Sequence, residues 1–380
     1  MPPAPATRKG SVYPFTLLRE RLRRHPGPVL DFALGRRSEP PPGWLPALVE
    51  QNAALAWRLR TAEELDALVA AAVAMLERVY GVRLAPEAIL PAPGGRAAMA
   101  ALVATLIAPG DRVLVTEPGY PAFARLALEH GASILAVPLD PGRAFDPDVR
   151  SLAGTGDGIR LAALNYPNNP TGAVISPAAL AELRRALGPA AVVFNDAVYG
   201  PLCHERGPFS ILEPGRDGTA RLELHSLGKL FSLGPLGVAF LAGDAELLAR
   251  VREYSDYAWS QLSSLQVRVA TRCLGEWSHV EERRRETQAR LDRLASAVTA
   301  LGFEVFPAAA GMYLLSRAPA RVGGRAVAGA RDAAERLLDD HGLAVAAWDV
   351  PPHGYLRWAA AYRPDDLEGL VALAARGRLA

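Results

Sequence analysis

The chain has 380 residues, 50% of them hydrophobic and 22% charged, which is enough apolar content for two globular domains. Its 42 basic and 40 acidic side chains leave a formal net charge of +2, which argues against a nucleic-acid partner. Two cysteines indicate neither a disulfide framework nor a metal site. No apolar stretch is long enough to span a membrane, so we expect no membrane partner. The N-terminus lacks the apolar core of a secretion signal, so we expect a cytoplasmic protein.

Short apolar segments alternate with alanine- and leucine-rich segments over much of the chain. The apolar segments predict strands at residues 112–116, 133–138, 159–164, 191–195, 221–225 and 237–242. The segments between them predict helices at residues 96–108, 120–130 and 177–187. This alternation predicts an α/β fold with a mostly parallel central sheet covered by helices on both faces.

After residue 243 the pattern changes to long helices, with one helical run predicted at residues 263–300. Short strands are predicted at residues 304–306 and 312–316, and a last helix begins at Pro364. We therefore expect a large domain at residues 46–243 and a smaller α+β domain at residues 244–380. The N-terminal segment, residues 1–45, is expected to pack with the small domain.

Lys229 is the most informative residue of the chain. The other lysine is Lys9, and every remaining basic residue is arginine. Arginine carries the same charge but cannot act as an amine nucleophile, whereas a buried lysine can lose its proton and form a Schiff base with an aldehyde. The alternatives are a lysine that survives by chance, or one that holds a carboxylate at a strand end.

Polar residues follow two of the predicted strands. Residues 165–172 read Asn-Tyr-Pro-Asn-Asn-Pro-Thr-Gly and predict a turn at the edge where open α/β sheets bind ligands. Asp196 ends the next strand, and Tyr199 follows three residues later. A turn without chemistry and an acid that caps a helix are the alternatives.

These motifs, taken together, resemble a known family. The run from Asn169 to Gly172, the pair Asp196 and Tyr199, and Ser226 with Lys229 stand in the order and spacing of fold-type I pyridoxal-phosphate enzymes of the class I/II aminotransferase family. Residues 31–35, 93–96, 117–121 and 354–358 extend the resemblance over more than 300 residues. Within the family, residues 13–15 and the Gly95-Arg96 pair are most similar to succinyl-diaminopimelate aminotransferases.

The resemblance implies pyridoxal 5′-phosphate as the cofactor, bound by the large domain. The implied catalytic residues are Lys229, which would form the Schiff base and move protons, Asp196, which would pair with the pyridine nitrogen, and Tyr199. The implied cofactor-binding residues are Gly95, Arg96, Tyr120, Asn169, Asp196, Tyr199, Ser226 and Lys229. Of these, the amides of Gly95 and Arg96 and the Ser226 hydroxyl would bind the phosphate, Tyr120 would stack on the ring, and Asn169 and Tyr199 would donate to the 3′-oxygen.

The same resemblance implies the substrates and the reaction. The implied substrate-binding residues are Arg357, Gly35, Asn169 and Tyr13, with Arg357 holding a carboxylate through two parallel hydrogen bonds. The implied reaction is amino transfer between an amino acid and a 2-oxo acid, in a homodimer without a metal. Alternatives are a decarboxylase, a lyase or a β/γ-substitution enzyme on the same fold, or a binding protein without turnover. For Arg357 the alternative is a surface arginine on a strand edge.

Two departures from the family pattern concern the cofactor phosphate. The family usually has a phosphate-binding arginine eight residues after the Schiff-base lysine, and this chain has Gly237 there. A tyrosine that crosses the dimer interface in the family is replaced by Trp57. Arg96, or an arginine of a second subunit, could supply the missing charge.

Overall fold

The structure is a computed structural model that describes residues 14–35, 39–152, 156, 158–204, 207–212, 219–350 and 353–380. The chain forms two compact units. Unit 1 comprises residues 1–36, 294–305 and 316–380, and unit 2 comprises residues 37–293 and 306–315.

Helices and strands alternate through the middle of the chain. The helices are α1 (Pro14–Arg24), α2 (Leu45–Gln51), α3 (Ala62–Tyr80), α4 (Gly95–Leu106), α5 (Ala122–Glu129), α6 (Pro177–Ala186), α7 (Ala245–Ala258), α8 (Ser264–Gly275), α9 (Trp277–Ala300), α10 (Ala330–His341) and α11 (Pro364–Ala375). The strands are β1 (Leu30–Asp31), β2 (Ile89–Ala92), β3 (Arg112–Glu117), β4 (Ser133–Asp140), β5 (Asp146–Pro147), β6 (Ile159–Leu164), β7 (Val192–Asp196), β8 (Arg221–Ser226), β9 (Ala239–Gly243), β10 (Val305–Phe306), β11 (Tyr313–Arg317), β12 (Arg321–Val322), β13 (Arg325–Ala326), β14 (Leu343–Ala344), β15 (Ala346–Val350) and β16 (His353–Ala359).

Unit 2 is built on a sheet that has eight strands among the described residues, in the order β2-β9-β8-β7-β6-β3-β4-β5. The five strands from β8 to β4 run parallel to one another, whereas β9, β2 and β5 each pair antiparallel with a neighbour. Every residue of β7 and β9 is buried, as expected for strands covered on both faces. The predicted α/β fold with a mostly parallel sheet is confirmed.

The main core of unit 2 lies between this sheet and the helices α4, α5 and α7. Leu102 and Leu106 of α4 belong to the same buried cluster as Val113 of β3, Leu161 of β6 and Leu222 of β8. Fully burying one such side chain stabilises the fold by about 1.5–3 kcal/mol. The apolar runs that predicted the strands therefore also supply the core.

The helices after the sheet differ from the sequence-based expectation. The single run predicted at residues 263–300 is two helices, because Gly275 ends α8 and Glu276 leaves the helical region at φ −104° and ψ 68°. Glycine is weakly helix-forming, which favours a helix end there. Unit 2 also extends to Arg293, past the boundary expected at residue 243, because α7 packs on α4 and α8 packs on α3.

Unit 1 contains the described N-terminal residues up to residue 35, the end of α9 and the C-terminal segment from residue 316. Strand β1 pairs parallel with β14, and β15 pairs antiparallel with β16. Arg21 of α1 forms ion pairs of 2.7 Å with Glu335 and with Asp339. Trp358, the residue after Arg357, is buried, and its ring packs on that of Phe32 with centroids 6.2 Å apart.

Candidate active site

The parallel strands of unit 2 bring the sequence-predicted cofactor residues to one edge of the sheet. Strands β3, β6, β7 and β8 run in the same direction, so their C-terminal ends lie at the same edge. Asp196 and Ser226 are the last residues of β7 and β8, and Asn165 directly follows β6. Tyr120 follows β3 by three residues.

Asp196 carries a carboxyl group that is buried away from water. The residue is 5% exposed and accepts a 3.4 Å hydrogen bond from the backbone N–H of Val198. Burial raises the pKa of this carboxyl from 3.8 to about 7, and the Val198 hydrogen bond opposes that rise. Tyr120, Asn165 and Asp196 line one small cavity, whose apolar wall includes Met99, Phe123 and Phe194.

The turn after β6 is held by its own asparagine side chains. The side-chain carbonyl of Asn165 accepts the backbone N–H of Asn169 at 3.0 Å, and that of Asn168 accepts the backbone N–H of Thr171 at 3.0 Å. The Asn168 side-chain amide donates to the carbonyl of Pro118 at 3.3 Å. Asn169 is 5% exposed and so belongs to a rigid, buried turn.

Tyr199 lies in the turn that follows β7. Its side chain is buried, and its hydroxyl lies 3.2 Å from the hydroxyl of Tyr313. The two rings meet edge to face, with centroids 5.7 Å apart. Tyr199 is thus fixed by a buried neighbour that is distant in sequence.

The helix α4 begins with glycines at the sheet edge. Gly94 has a φ of +130°, a conformation that favours glycine, and α4 starts at Gly95 without a side-chain cap from any described residue. The first amides of a helix that lacks such a cap can bind an anion. Arg96 contributes its amide to this helix start, while its side chain is exposed.

Lys229 follows β8 by three residues and is partly buried, as is Ser226. Gly237 lies beside this segment: a Cβ atom there would lie 3.1 Å from the Gly228 Cα and 3.2 Å from the Gly234 carbonyl oxygen. Both neighbours are backbone atoms, so they cannot move aside as a flexible side chain would. The phosphate-binding arginine of the family is therefore replaced at a position where the local backbone leaves little room for any side chain.

Arg357, the predicted carboxylate-binding residue, lies in β16 of unit 1 and is 2% exposed. This excludes the surface-arginine alternative. Its guanidinium donates to the carbonyl of Ala33 at 2.6 Å and lies 4.7 Å from the ring centre of Phe15 and 5.1 Å from that of Trp348. Cation–π contacts of this kind stabilise a buried guanidinium by about 2 kcal/mol.

The remaining two predicted substrate residues are less informative. Gly35 is a partly buried residue of unit 1, four residues after β1 ends. Tyr13 lies outside the described residues. No sequence motif predicts a role for Phe15, Trp348, Tyr313 or Asn165. Asn165 could have been suspected, because it is a third asparagine in the same turn, whereas the other three have partners that no local pattern reveals.

The described residues hold neither a metal cluster nor a membrane span. No group of three or more His, Cys, Asp or Glu side chains in the described ranges could hold a metal ion. No helix in those ranges is long and apolar enough to cross a membrane.

The comparison with known families decides the class of protein. The family model of aminotransferase class I and II matches residues 31–372, which is most of the chain. The chain belongs to the class I and II aminotransferases. This aminotransferase is accordingly a pyridoxal-phosphate-dependent enzyme that transfers amino groups. The predicted family, cofactor and reaction class are confirmed.

The aminotransferase is similar to aminotransferases that are named for diaminopimelate or its N-succinyl derivative. The LL-diaminopimelate aminotransferase of Methanocaldococcus jannaschii is 28% identical over 359 residues, which cover 92% of this chain and 85% of that relative. The probable N-succinyldiaminopimelate aminotransferase of Mycobacterium tuberculosis is 34% identical over 261 residues, which cover 67% of this chain and 65% of that relative.

Solved structures show the same fold. The N-succinyldiaminopimelate aminotransferase of Mycobacterium tuberculosis matches with a TM-score of 0.84 and 26% identity, over 95% of each chain. YbdL from Escherichia coli, for which a methionine aminotransferase function is identified, matches with a TM-score of 0.86 and 21% identity, over 97% of each chain. At that identity the YbdL match is evidence for the fold alone.

Proposed function

We propose that this aminotransferase moves the amino group of an α-amino acid to a 2-oxo acid, with its cofactor at the C-terminal edge of the unit 2 sheet. The observation that carries the proposal is the buried carboxyl of Asp196 at that edge. A buried acid with a pKa raised to about 7 is stabilised as a carboxylate by a cationic partner, and a protonated pyridine nitrogen is such a partner.

Bound pyridoxal phosphate supplies an aldehyde carbon for the amino group and a ring that withdraws electrons. Lys229 would hold the cofactor through its amine and would move the proton at the substrate's α-carbon. Asp196 would pair with the ring nitrogen and keep it protonated. The buried side chains of Asn169 and Tyr199 would donate hydrogen bonds to the ring 3′-oxygen, and Tyr120 would pack against the ring.

The phosphate of the cofactor would be held mainly by backbone groups. The amides of Gly95 and Arg96 stand at the start of α4, where the helix dipole favours an anion. The hydroxyl of Ser226 adds a further donor. Because the Arg96 side chain is exposed, we assign the phosphate contact to its amide.

Arg357 would bind the substrate's α-carboxylate, and the family resemblance implies that Gly35 and Tyr13 also bind substrate. Arg357 carries a flat, delocalised guanidinium whose shape matches a planar carboxylate, and its flat face contacts the rings of Phe15 and Trp348. Among substrates, we propose diaminopimelate and its N-succinyl derivative first. One relative named for diaminopimelate aligns with 92% of this chain, and one named for the N-succinyl derivative is 34% identical to it.

A homodimer in a reducing cytoplasm completes the proposal. Trp57, Leu59 and Tyr257 are 91%, 63% and 92% exposed, and Leu59 bridges to Ser263, a few residues after Tyr257. Large apolar side chains this exposed favour coverage by a second copy of the chain.

Burial raises the pKa values of the free thiols of Cys203 and Cys273 to about 11 and about 12, which keeps both thiols protonated and unreactive and suits a reducing cytoplasm.

One assay tests the reaction. Holoenzyme is incubated with single amino acids, including diaminopimelate and its N-succinyl derivative, with and without 2-oxoglutarate, and products are identified by mass spectrometry. If the reaction is amino transfer, the amino acid is converted to its 2-oxo acid while 2-oxoglutarate is converted to glutamate. Repeated turnover should then occur only when 2-oxoglutarate is present. Carbon dioxide, ammonia or a substituted side chain formed from one amino acid alone would replace this proposal with decarboxylation, elimination or substitution.

A further inference from the structure

Tyr199 and Tyr313 form a buried pair of phenols at the candidate site. Their hydroxyl oxygens lie 3.2 Å apart, and each residue is 4% exposed. A phenol hydroxyl has one proton to donate and lone pairs with which to accept. One of the two hydroxyls is therefore the donor in this contact, and the other is the acceptor.

The backbone holds Tyr313 firmly against Tyr199. The N–H of Gly311 donates to the carbonyl of Leu202 at 2.9 Å, and Cys203 forms an antiparallel bridge with Ala310. The ring of His204 bonds the Gly311 carbonyl at 3.0 Å. The segments that carry the two tyrosines are thus joined through the N–H and the carbonyl of Gly311 and through Ala310. These backbone contacts hold the two hydroxyl groups next to each other.

The proposed function, on which this inference rests, uses the single proton of the Tyr199 hydroxyl for the cofactor 3′-oxygen. In that state the Tyr199 oxygen can only accept from Tyr313. We infer that Tyr313 is a positioning residue that donates a hydrogen bond to Tyr199, fixing the direction of the Tyr199 proton and making Tyr199 a stronger donor to the cofactor.

The direction of the effect follows from charge. A donor to the 3′-oxygen stabilises the form of the chromophore with more negative charge on that oxygen, which is the deprotonated form. Tyr199 therefore lowers the pH midpoint of the cofactor's absorbance change, by about one to two pH units for a charged hydrogen bond. Polarisation along a hydrogen-bond chain strengthens each bond by roughly 10–30%. Tyr313 therefore adds about 0.1–0.6 of a pH unit to the lowering of the midpoint by Tyr199.

The test is a pH titration of holoenzyme absorbance in four proteins: wild type, Tyr199→Phe, Tyr313→Phe and the double variant. We expect Tyr313→Phe to raise the midpoint by about 0.1–0.6 of a unit, and to raise it no further when Tyr199→Phe is already present. Tyr80→Phe, which removes another buried hydroxyl of unit 2, is the matched control and is expected to leave the midpoint unchanged.

The outcomes separate this inference from the proposed function. If Tyr199→Phe leaves the midpoint unchanged, the proposed role of Tyr199 itself is wrong. If Tyr199→Phe raises it and Tyr313→Phe does not, Tyr313 is a packing residue and the inference is overturned. An equal shift from Tyr313→Phe in both backgrounds would mean that Tyr313 acts on the cofactor directly, which also overturns it.

Discussion

Asn165 donates a hydrogen bond of 3.1 Å from its side-chain amide to the backbone carbonyl of Asp196. Its side-chain carbonyl accepts the backbone N–H of Asn169. One buried amide thereby joins the ends of β6 and β7, and both of its polar groups are used. The positions of the Asp196 carboxyl and of Asn169, both proposed to contact the cofactor, are consequently set by the same side chain.

Lys229 is expected to be the residue that carries the cofactor. Borohydride reduction of holoenzyme should place the adduct on Lys229 in a peptide map, and Lys229→Ala should abolish turnover, because no other amine replaces the nucleophile. Lys9→Arg is the matched control, since it removes the other lysine, and should keep both adduct and activity. An adduct on Lys9 would refute the assignment.

Asp196 should make the apo protein less stable as pH rises. Its folded pKa is raised from 3.8 to about 7, so between these values the folded chain keeps a proton that the unfolded chain has released. Stability is then lost through that window, by up to about 4 kcal/mol. Urea unfolding of apo Asp196→Asn should show a smaller decline from about pH 4 to pH 7 than wild type. Parallel curves for the two proteins would contradict the raised pKa.

The same substitution should damage the holoenzyme. Without a carboxylate at the ring nitrogen, the ring withdraws electrons less well, and we expect kcat to fall by about a hundredfold or more. The Asp196→Asn variant should still carry the Lys229 adduct, which separates loss of chemistry from loss of binding. Near-normal turnover would mean that another group pairs with the ring nitrogen.

Arg96 should bind the phosphate through its amide alone. Arg96→Ala keeps that amide and removes an exposed side chain, so the cofactor dissociation constant should stay within about twofold of wild type. Arg96→Pro removes the N–H at a helix position that tolerates proline, and should weaken binding about tenfold to a hundredfold. Titration of apo-enzyme with pyridoxal phosphate measures both. The reverse order of effects would assign the contact to the guanidinium.

Gly237 should not accept the arginine that the family pattern would place there. Gly237→Ala and Gly237→Arg both place a Cβ about 3.1 Å from backbone, so each should lower the free energy of unfolding by about 1–3 kcal/mol. Neither should tighten cofactor binding. Denaturant unfolding and cofactor titration of both variants check this. A stable Gly237→Arg variant with tighter binding would show that the backbone can adjust.

Arg357 should determine affinity for the substrate carboxylate. Arg357→Lys keeps the charge but loses the paired N–H groups and the flat face that contacts Phe15 and Trp348. We expect KM for the amino acid to rise about tenfold or more, while the cofactor dissociation constant stays unchanged. An unchanged KM would move carboxylate binding to another residue.

The sheet, the family and most of the proposed cofactor residues can be predicted from residue types and their spacing alone. Apolar runs such as residues 191–194 favour burial in a sheet, and a Schiff base, a ring-nitrogen partner and an anion-binding helix start each demand particular residue types, as Lys229, Asp196 and Gly95 illustrate. These are local requirements, so short motifs carry them. The helix break at Gly275 was missed, because helical periodicity continues on both sides of it.

The residues that support those motifs become visible in the packed fold and cannot be predicted from the motifs. The contact of Tyr199 with Tyr313, the rings of Phe15 and Trp348 against Arg357, and the backbone that crowds Gly237 join segments that no sequence spacing relates. Arg357 shows the difference most clearly. Its motif predicted a carboxylate ligand, but its burial and its aromatic neighbours depend on where α1 and β15 pack in unit 1. Such contacts depend on distances of a few ångströms between chain-distant atoms, and only the packed fold sets those distances.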